Sequence, residues 1–491
     1  MPPYNRFTSW KYLMSKTEGP ADRDAPAGPG LSPSDAQSGG RVSLEGVHRS
    51  VEVPHHQAGF LEQWRAFVGP AILVSVGYMD PGNWGTDLQG GAKFKYALLW
   101  VVGLASLMAI FMQVISARLG VVTGKDLAQC CRDWYPNWTR WPNWLMSEVA
   151  IGACDLAEVL GSAVALNLLF HIPLLWAVII TGLDVLLLLA LQRFGMRTIE
   201  AVVLLLIATI GVCYFIEIFV LPQTQPSFLE MGRALVVPHF GQAGMLYVAI
   251  GIIGATVMPH NLYLHSALVQ SRKLQKDEPS IRSAIRFNTI DSIVALTIAF
   301  FVNAAILVLA AMVFFGKESV IASGGQVVKF SGDSDWIRVA YLTLAPLLGT
   351  AAASTLFAVA LLASGQSSTI TGTLAGQVVM EGFMHWRIKP WVRRIITRTL
   401  AILPAVFIIG LRGNGSVTDL LTLSQVVLAL QLPFAMFPLL HFTSSGKRMG
   451  TWKNGWFLLV AGWASAILIT AMDLYGLPDS LKTAWQVLGG G

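Results

Sequence analysis

Long apolar stretches separated by short polar loops run through the chain from about residue 67 to residue 475. Most are about 20 residues long, the length that a helix needs to cross the roughly 30 Å hydrocarbon core of a bilayer. We predict eleven spans. They lie at residues 67–90, 98–121, 144–170, 174–191, 199–220, 246–269, 290–314, 345–378, 395–411, 420–440 and 456–475. The pattern therefore predicts an all-α polytopic membrane protein.

Two of these stretches carry a motif of the form x-Pro-x-Asn in the middle. The first contains Asp-Pro-Gly-Asn at residues 80–83, and the sixth contains Met-Pro-His-Asn at residues 258–261. Proline lacks an N–H group and clashes with the preceding turn, so we expect both helices to break there. Unwound backbone at membrane depth is tolerated only where it lines a cavity or is buried in protein. Broken helices at matching positions in two halves predict an inverted repeat with a binding site between the breaks.

The loop charges predict the orientation. With the N-terminus inside, the inner loops carry about twice as many Lys and Arg residues as the outer loops, as the positive-inside rule requires. We therefore expect a cytoplasmic N-terminus, a C-terminus outside, and a multi-pass protein of the cell membrane. Spans one to five (residues 67–220) and six to ten (residues 246–440) then run in opposite directions, and the helix at 456–475 is additional.

Composition separates the first 58 residues from the rest. They are rich in Pro, Gly, Ser and charged residues, which predicts a disordered cytoplasmic tail before a transporter domain at 59–491. Over the whole chain 54% of the residues are hydrophobic and 13% are charged, which excludes an ordinary soluble protein. The net charge of +6 comes mostly from loops beside spans, so it does not indicate a nucleic-acid partner.

Three side chains at the breaks are candidate metal ligands. Asp80 is an acidic residue at membrane depth, where a charge is energetically costly, so it is a candidate for a functional role. The alternative is that its side chain caps the second half-helix. Asn83 offers an amide oxygen one turn away. Met258 occupies the position equivalent to Asp80; a methionine there is usually a core filler, but a thioether is also a soft ligand for transition metals.

Further ligands are expected from the backbone. Gly77 and Ala255 each lie three residues before the residue that precedes proline, so their carbonyl groups should be freed by the breaks. Gln425, in the tenth span, is a weaker candidate that could reach the ion in an occluded state. This mixed set fits Mn²⁺ and Fe²⁺ and would accept Co²⁺ or Cd²⁺, whereas zinc sites prefer nitrogen and thiolate.

Ionisable residues near the breaks are candidates for proton transfer. His260 can accept a proton near neutral pH, or it can be a satisfied interior histidine. Asp155 and Glu158 lie on one face of the third span, and Arg398 in the ninth span is their natural partner. The alternative to a proton route is a structural network of ion pairs that holds these two spans together.

Four separated motifs together resemble the Nramp family of divalent metal transporters, most closely its bacterial manganese-transporter branch. They are the two proline motifs, the Asp-Leu-Ala-Glu run at 155–158 and the stretch GQSSTITGTLAGQVVMEGF at 365–383. The resemblance covers about residues 67–475. It implies a LeuT-type fold of five plus five helices, alternating access, and proton-coupled import of Mn²⁺ or Fe²⁺. It also implies that Arg272 and Arg398 serve the inner proton route and gate.

The sequence therefore predicts a proton-coupled importer of divalent metal ions, with the lipid bilayer, metal ions and protons as partners and no cofactor. Two other functions stay open at this point: an amino-acid carrier of the same fold, and a metal-sensing membrane receptor. An enzyme is not expected, because motifs such as HExxH and GxSxG do not occur in the chain.

Overall fold

The computed structural model describes residues 50–54, 58–184, 196–216, 226–239, 241–275, 277–317, 319–321, 327–329, 336–348, 351–412 and 417–488. Within these ranges the protein is almost entirely helical. The helices and strands are, in chain order, β1 (Val51–Glu52), α1 (Phe60–Phe67), α2 (Pro70–Ser75), α3 (Pro81–Phe94), α4 (Leu99–Thr123), α5 (Leu127–Trp134), α6 (Arg140–Phe170), α7 (Leu174–Thr181), α8 (Met196–Phe215), α9 (Phe228–Val236), α10 (Met245–Val257), α11 (Pro259–Leu268), β2 (Arg272–Lys273), α12 (Glu278–Val313), β3 (Ser319–Ile321), β4 (Val327–Lys329), α13 (Trp336–Leu348), α14 (Ala351–Met384), α15 (Pro390–Arg412), α16 (Val417–Ser444), α17 (Gly446–Met449) and α18 (Trp456–Leu488).

The first span breaks where the sequence predicts. Helix α2 gives way to a 3₁₀ turn at Gly77–Met79, and Asp80 is extended with φ −68° and ψ 167°. Helix α3 then begins at Pro81. Proline suits the first position of a helix because the N–H group that it lacks would have no partner there.

The sixth span breaks at the equivalent place. Met258 separates α10 from α11 and has φ 41° and ψ 105°. A positive φ is rare for a residue with a side chain and costs about 1–3 kcal/mol. Such a conformation persists only where the surrounding structure enforces it, so the second break is a built feature of the fold.

Close contacts between helix backbones hold the two breaks in place. A Cβ atom on Gly254 in α10 would lie 2.0 Å from the carbonyl oxygen of Gln425 in α16. A Cβ atom on Gly161 in α6 would lie 2.1 Å from the Cβ atom of Pro81 at the first break. Only glycine permits approaches this close.

Eight helices of the described residues are long and apolar enough to cross a membrane, and residues Pro70–Met79 form a shorter apolar helical segment. Of the eleven predicted spans, the fourth lies partly outside the described residues, and the ninth, α15, is not among the eight. The count of eleven therefore stays a prediction.

Several predicted boundaries need correction. Residues 345–348 of the predicted eighth span belong to a separate helix, α13, and the described part of the span itself runs from Ala351 to Met384. The seventh begins at Glu278 rather than 290, and the last continues to Leu488 rather than 475. The length of an apolar stretch predicts only the part of a helix that lies in the membrane. The helices of the seventh and eleventh spans continue beyond that part.

Two short strand pairs complete the described structure. Strands β3 and β4 pair antiparallel. Strands β1 and β2 pair parallel, with Val51 opposite Arg272 and Glu52 opposite Lys273. Strand β1 falls in the segment predicted to be a disordered tail, so that prediction does not hold for these two residues. The remainder of the tail, apart from residues 50–54 and 58, lies outside the described residues.

Candidate metal-binding site

The carboxyl group of Asp80 is fully buried at the first break. Its Oδ1 atom accepts hydrogen bonds from the backbone N–H of Asn83 at 2.8 Å and from Asn83 Nδ2 at 2.9 Å. Its Oδ2 atom has no hydrogen-bond partner among the described residues. Asp80 thus caps α3, as one interpretation of the sequence proposed, and still has one carboxylate oxygen available to a ligand.

The oxygen atoms of both breaks converge on the side chain of Asn83. Its Nδ2 atom lies 3.3 Å from the carbonyl oxygen of Gly77, 3.2 Å from that of Ala255 and 2.9 Å from Asp80 Oδ1. An amide nitrogen has two hydrogen atoms and cannot satisfy three acceptors. The structure therefore brings three predicted oxygen donors to one position, where a single positively polarised group now lies.

Met258 lies beside the same group of atoms. Its side chain is fully buried, and its Sδ atom accepts a 3.4 Å hydrogen bond from Asn261 Nδ2. A Cβ atom on Gly77 would lie 3.1 Å from this sulfur atom. The second break thus contributes a carbonyl group and a thioether next to the carboxylate and carbonyl of the first.

Several buried oxygen atoms around the breaks lack partners. Besides Asp80 Oδ2 they are the side-chain carbonyl oxygens of Asn261, Asn303 and Gln425, within the described part of the chain. Buried polar atoms nearly always have hydrogen-bond partners, so this concentration of unpaired acceptors needs an explanation. Exchanging the oxygen and nitrogen of one of these amides would not remove the problem. The nitrogen would then lie where the oxygen is now, and it would need an acceptor of its own.

Asn303 supports the first break from α12. Its Nδ2 atom donates to the carbonyl oxygen of Tyr78 at 2.7 Å and to Asn83 Oδ1 at 3.3 Å. In the sequence Asn303 is a weak candidate of the same kind as Gln425, and its partners are not predicted there. The available signal was a lone amide in an otherwise apolar span.

Gln425 lies at the first break but outside the group of converging oxygen atoms. A Cβ atom on Gly82 would lie 1.9 Å from Gln425 Nε2, so this amide lies directly over the backbone of α3. The same Nε2 atom donates to Ser424 Oγ at 2.9 Å. No hydrogen bond joins Gln425 to Asp80 or Asn83 in the described structure.

The predicted acids of the third span lie in a larger buried cluster. In this acid–arginine cluster, Arg394 pairs with Asp155 and, at 3.2 Å, with Glu158, while Arg398 pairs with Asp184 and lies 3.5 Å from Glu158. All five side chains are buried. Three carboxylates facing two guanidinium groups carry a formal charge of −1 when all are ionised, and such a site can take up one proton without gaining a net positive charge.

Arg394 and Asp184 were missed in the sequence. Arg394 lies four residues before Arg398, which places both on one face of α15, and Asp184 lies within the predicted fourth span. The cluster does link α6 to α15, as the structural interpretation required. The pairing alone leaves both interpretations open.

Helix α14 connects the first break to this cluster. Ser364 Oγ donates to the carbonyl oxygen of Met79 at 2.6 Å, and Ser368 Oγ donates to Glu158 Oε1 at 2.9 Å. Two residues four positions apart on a helix are separated by about one turn, or about 6 Å. The acid–arginine cluster is thus about one helical turn from the carbonyl group of Met79, the residue before Asp80.

His260 and Arg272 occupy other positions. His260 is buried, and its Nδ1 atom has no partner among the described residues. Arg272 is not part of the acid–arginine cluster. It donates to the carbonyl oxygens of Ala66 at 3.1 Å and Val68 at 2.7 Å and pairs with Glu200 at 2.9 Å, which fixes the link between α1 and α2.

A conventional metal site is not found in the described part of the chain. No three His, Cys, Asp or Glu side chains there are grouped so that they could hold a metal ion. The converging atoms at the breaks are instead one carboxylate, carbonyl oxygens, an amide and a thioether. Such a set matches a weakly held transition-metal ion better than a permanently bound one.

Comparison with known proteins places the chain in a family. Residues 71–478 match the model of the Nramp family, described as natural resistance-associated macrophage protein-like. The chain is 50% identical over 448 residues to the divalent metal cation transporter MntH of Nostoc sp., covering 90% of this chain and 97% of that protein. It is 49% identical over 431 residues to the protein of the same name from Brucella suis, covering 88% and 91%.

A solved structure is also similar. The crystal structure of the Eremococcus coleocola manganese transporter in complex with an aromatic bis-isothiourea substituted compound superposes with a TM-score of 0.79 at 38% identity, covering 91% of this chain and 96% of that one. This similarity and the two observed breaks confirm the predicted LeuT-type fold. The chain belongs to the Nramp family, whose members are membrane transporters and not enzymes.

Proposed function

We propose that this protein imports divalent transition-metal ions, with Mn²⁺ and Fe²⁺ as substrates and Co²⁺ and Cd²⁺ accepted, in symport with protons. The relatives that are half identical to it are named divalent metal cation transporters. The observation that carries the proposal is the convergence of oxygen atoms from both broken helices on one buried position.

The ion takes the position that the Asn83 amide nitrogen now occupies, so the Asn83 side chain must withdraw from that point and turn over. Its amide oxygen then faces the ion together with the carbonyl oxygens of Gly77 and Ala255 and the Asp80 carboxylate, which gives four oxygen donors. Met258 adds a thioether from the second break. Gln425 joins this set only if α16 moves relative to α3, as in an occluded state.

The composition of this set explains selection and release. Ca²⁺ and Mg²⁺ prefer sites made only of oxygen, so the Met258 sulfur favours transition metals. A single carboxylate offsets only half of the charge of a divalent ion, so the ion is not held permanently. A transport site must bind strongly enough to load and weakly enough to unload.

Proton coupling uses the acid–arginine cluster. A divalent ion beside Asp80 disfavours the protonated carboxyl group, and the released proton passes about one helical turn along α14 to Glu158 and Asp155. His260, with its unpartnered Nδ1 atom, is a further acceptor beside the second break. With the N-terminus in the cytoplasm, the membrane potential assists entry of each charge by about 2.3 kcal/mol per 100 mV.

Alternating access requires the half-helices to move at their breaks. Arg272 holds the link between α1 and α2 and pairs with Glu200 of α8, so these contacts are the ones that must rearrange when the inner side opens. Arg398, through the acid–arginine cluster, joins the second half of the chain to α6 of the first half.

Flux measurement in proteoliposomes tests this proposal. The purified protein should take up Mn²⁺ faster when the outside is acidic, and Asp80→Asn, which keeps the shape of the side chain but removes its charge, should abolish uptake. Normal Mn²⁺ uptake by Asp80→Asn would contradict the site. Mn²⁺ binding without flux in the wild type would favour a metal-sensing receptor, and calorimetric binding of amino acids instead of Mn²⁺ would favour the amino-acid carrier.

A further inference from the structure

Helix α12 is too long to lie wholly within the bilayer core. Its 36 residues extend over about 54 Å at 1.5 Å per residue, whereas the hydrocarbon core is about 30 Å thick. The apolar part begins near residue 290, so the first turns, from Glu278 onward, reach into the headgroup region. These turns carry Arg282 and Arg286.

A cavity of about 420 Å³ lies between these turns and α1. It is lined by Ala58, Phe60, Gln63, Pro279, Arg282, Ser283, Arg286 and Phe287. Ser283 Oγ donates to Gln63 Oε1 at 2.5 Å, and the rings of Phe60 and Phe287 lie 5.4 Å apart. The cavity therefore lies where α1 and α12 pack against each other.

The two arginines give the cavity a positive charge. Arg286 is exposed and forms no ion pair within the described residues. Within the described residues Arg282 forms one ion pair, with Glu278 on its own helix at 2.7 Å, and both side chains of that pair are about 70% exposed. The Arg282 guanidinium group also lies 5.9 Å from the centre of the Trp452 ring. An ion pair this exposed contributes little and leaves the guanidinium group open to a second partner.

The same face of α12 continues into the membrane. Ile293 lies seven residues after Arg286 and eleven after Arg282, so the three share one side of the helix. Ile293 is 45% exposed, and Phe301 further along is 64% exposed. Beside the cavity, Leu61 of α1 is 62% exposed. A mainly apolar surface, with Thr289 and Thr297 among its residues, thus runs from the two arginines along the outer side of α12.

We propose that this cavity binds the phosphate headgroup of an anionic phospholipid whose acyl chains lie along the exposed face of α12. Guanidinium groups bind phosphate oxygens in a bidentate manner. The phosphate of an anionic phospholipid has no positive charge beside it in the same headgroup, so the two arginines can neutralise it. A zwitterionic headgroup carries its own cation, which the two arginines would repel. The mainly apolar surface accounts for the chains, which a free phosphate ion lacks.

Native mass spectrometry of the full, delipidated chain tests this proposal. Phosphatidylglycerol and phosphatidylcholine with identical acyl chains are titrated in separate samples, and we expect at least a fivefold preference for phosphatidylglycerol. The double variant Arg282→Gln/Arg286→Gln should lose that preference, and Arg282→Lys/Arg286→Lys should retain part of it. Lys447→Gln removes an exposed charge elsewhere and should leave the preference unchanged.

Three outcomes would overturn the proposal. Equal binding of the two lipids, or an unchanged preference in the double Gln variant with unchanged thermal stability in detergent, would show that the arginines do not select a headgroup. Displacement of phosphatidylglycerol by millimolar inorganic phosphate would show a site for the free ion. None of these measurements depends on whether the protein transports metal.

Discussion

The residue with the most specific local conformation is Met258. It is the only fully buried non-glycine residue with positive φ among the described ones, and its sulfur atom lies beside the backbone of Gly77 at the other break. The backbone strain fixes the direction of the thioether. We infer that the position is maintained for ligation rather than for filling space.

Met258→Ala tests the role of the sulfur atom. We expect Mn²⁺ affinity to fall by about 10-fold, at the lower end of what loss of a supporting group costs a metal site. Competition by Ca²⁺ and Mg²⁺ in the flux assay should increase, because the remaining donors are all oxygen atoms. Unchanged competition in the variant would show that sulfur does not set selectivity. Met79→Ala, at the first break, is the matched control for loss of a buried methionine.

The sequence predicted the ligand candidates because proline marks them. Asp80, Asn83 and Met258 could be found from two tetrapeptides, and the free carbonyl groups followed from the missing helical hydrogen bonds. Asn303, Arg394 and Asp184 could not be assigned, because the partner of an isolated polar residue in a span depends on how the helices pack. The pattern of apolar and polar residues along a span says little about which helices pack against it.

At the scale of helices, the fold depends on backbones in direct contact. Gly254 permits α10 to touch α16, where a Cβ atom would lie 2.7 Å from Ala429 N and 2.0 Å from the Gln425 carbonyl oxygen. Rigid backbone atoms cannot yield as a flexible side chain can. Both α10 and α16 must therefore shift if this glycine is replaced.

Gly254→Ala should destabilise the protein and disturb the second break. We expect a cost of about 1–3 kcal/mol from overpacking, seen as a lower melting temperature in detergent, together with weaker Mn²⁺ binding. Gly211→Ala in α8 is the control, because a Cβ atom there meets nothing within 4 Å. A variant at 254 as stable as the one at 211 would mean that α10 and α16 are not in the tight contact described.

Helix ends were less predictable than helix existence. Apolar length located most of the spans, but α12 begins twelve residues before its predicted start and α18 continues beyond its predicted end. The hydrophobic effect of the bilayer acts only on the embedded part of a helix. Outside it, caps such as the Asp277 side chain, which accepts from Ser280 N, determine where a helix starts.

At the scale of the whole molecule, α14 joins the proposed ion site to the acid–arginine cluster. Ser364 and Ser368 on α14 contact one site each. Since both sites respond to charge, occupancy of one should change the protonation of the other. This coupling is the physical basis that we propose for symport.

Glu158→Gln separates proton coupling from metal binding. Glutamine keeps a side chain that can bond to Ser368 and Thr369 but cannot take up a proton near neutral pH. We expect Mn²⁺ binding to persist within about threefold, a change of less than 1 kcal/mol, while stimulation of uptake by an acidic outside is lost. Glu148→Gln, on the same helix and paired with Arg393 outside the cluster, should retain that stimulation. If Glu158→Gln remained fully pH-responsive, the cluster would be structural only.

The most direct test of the account is the position of Mn²⁺ in crystals of the protein, located by anomalous scattering. We predict one strong peak between the two breaks, in contact with the Asp80 carboxylate, the Asn83 amide oxygen, the Gly77 and Ala255 carbonyl oxygens and the Met258 sulfur. A peak at the acid–arginine cluster, or none between the breaks at saturating Mn²⁺, would contradict it.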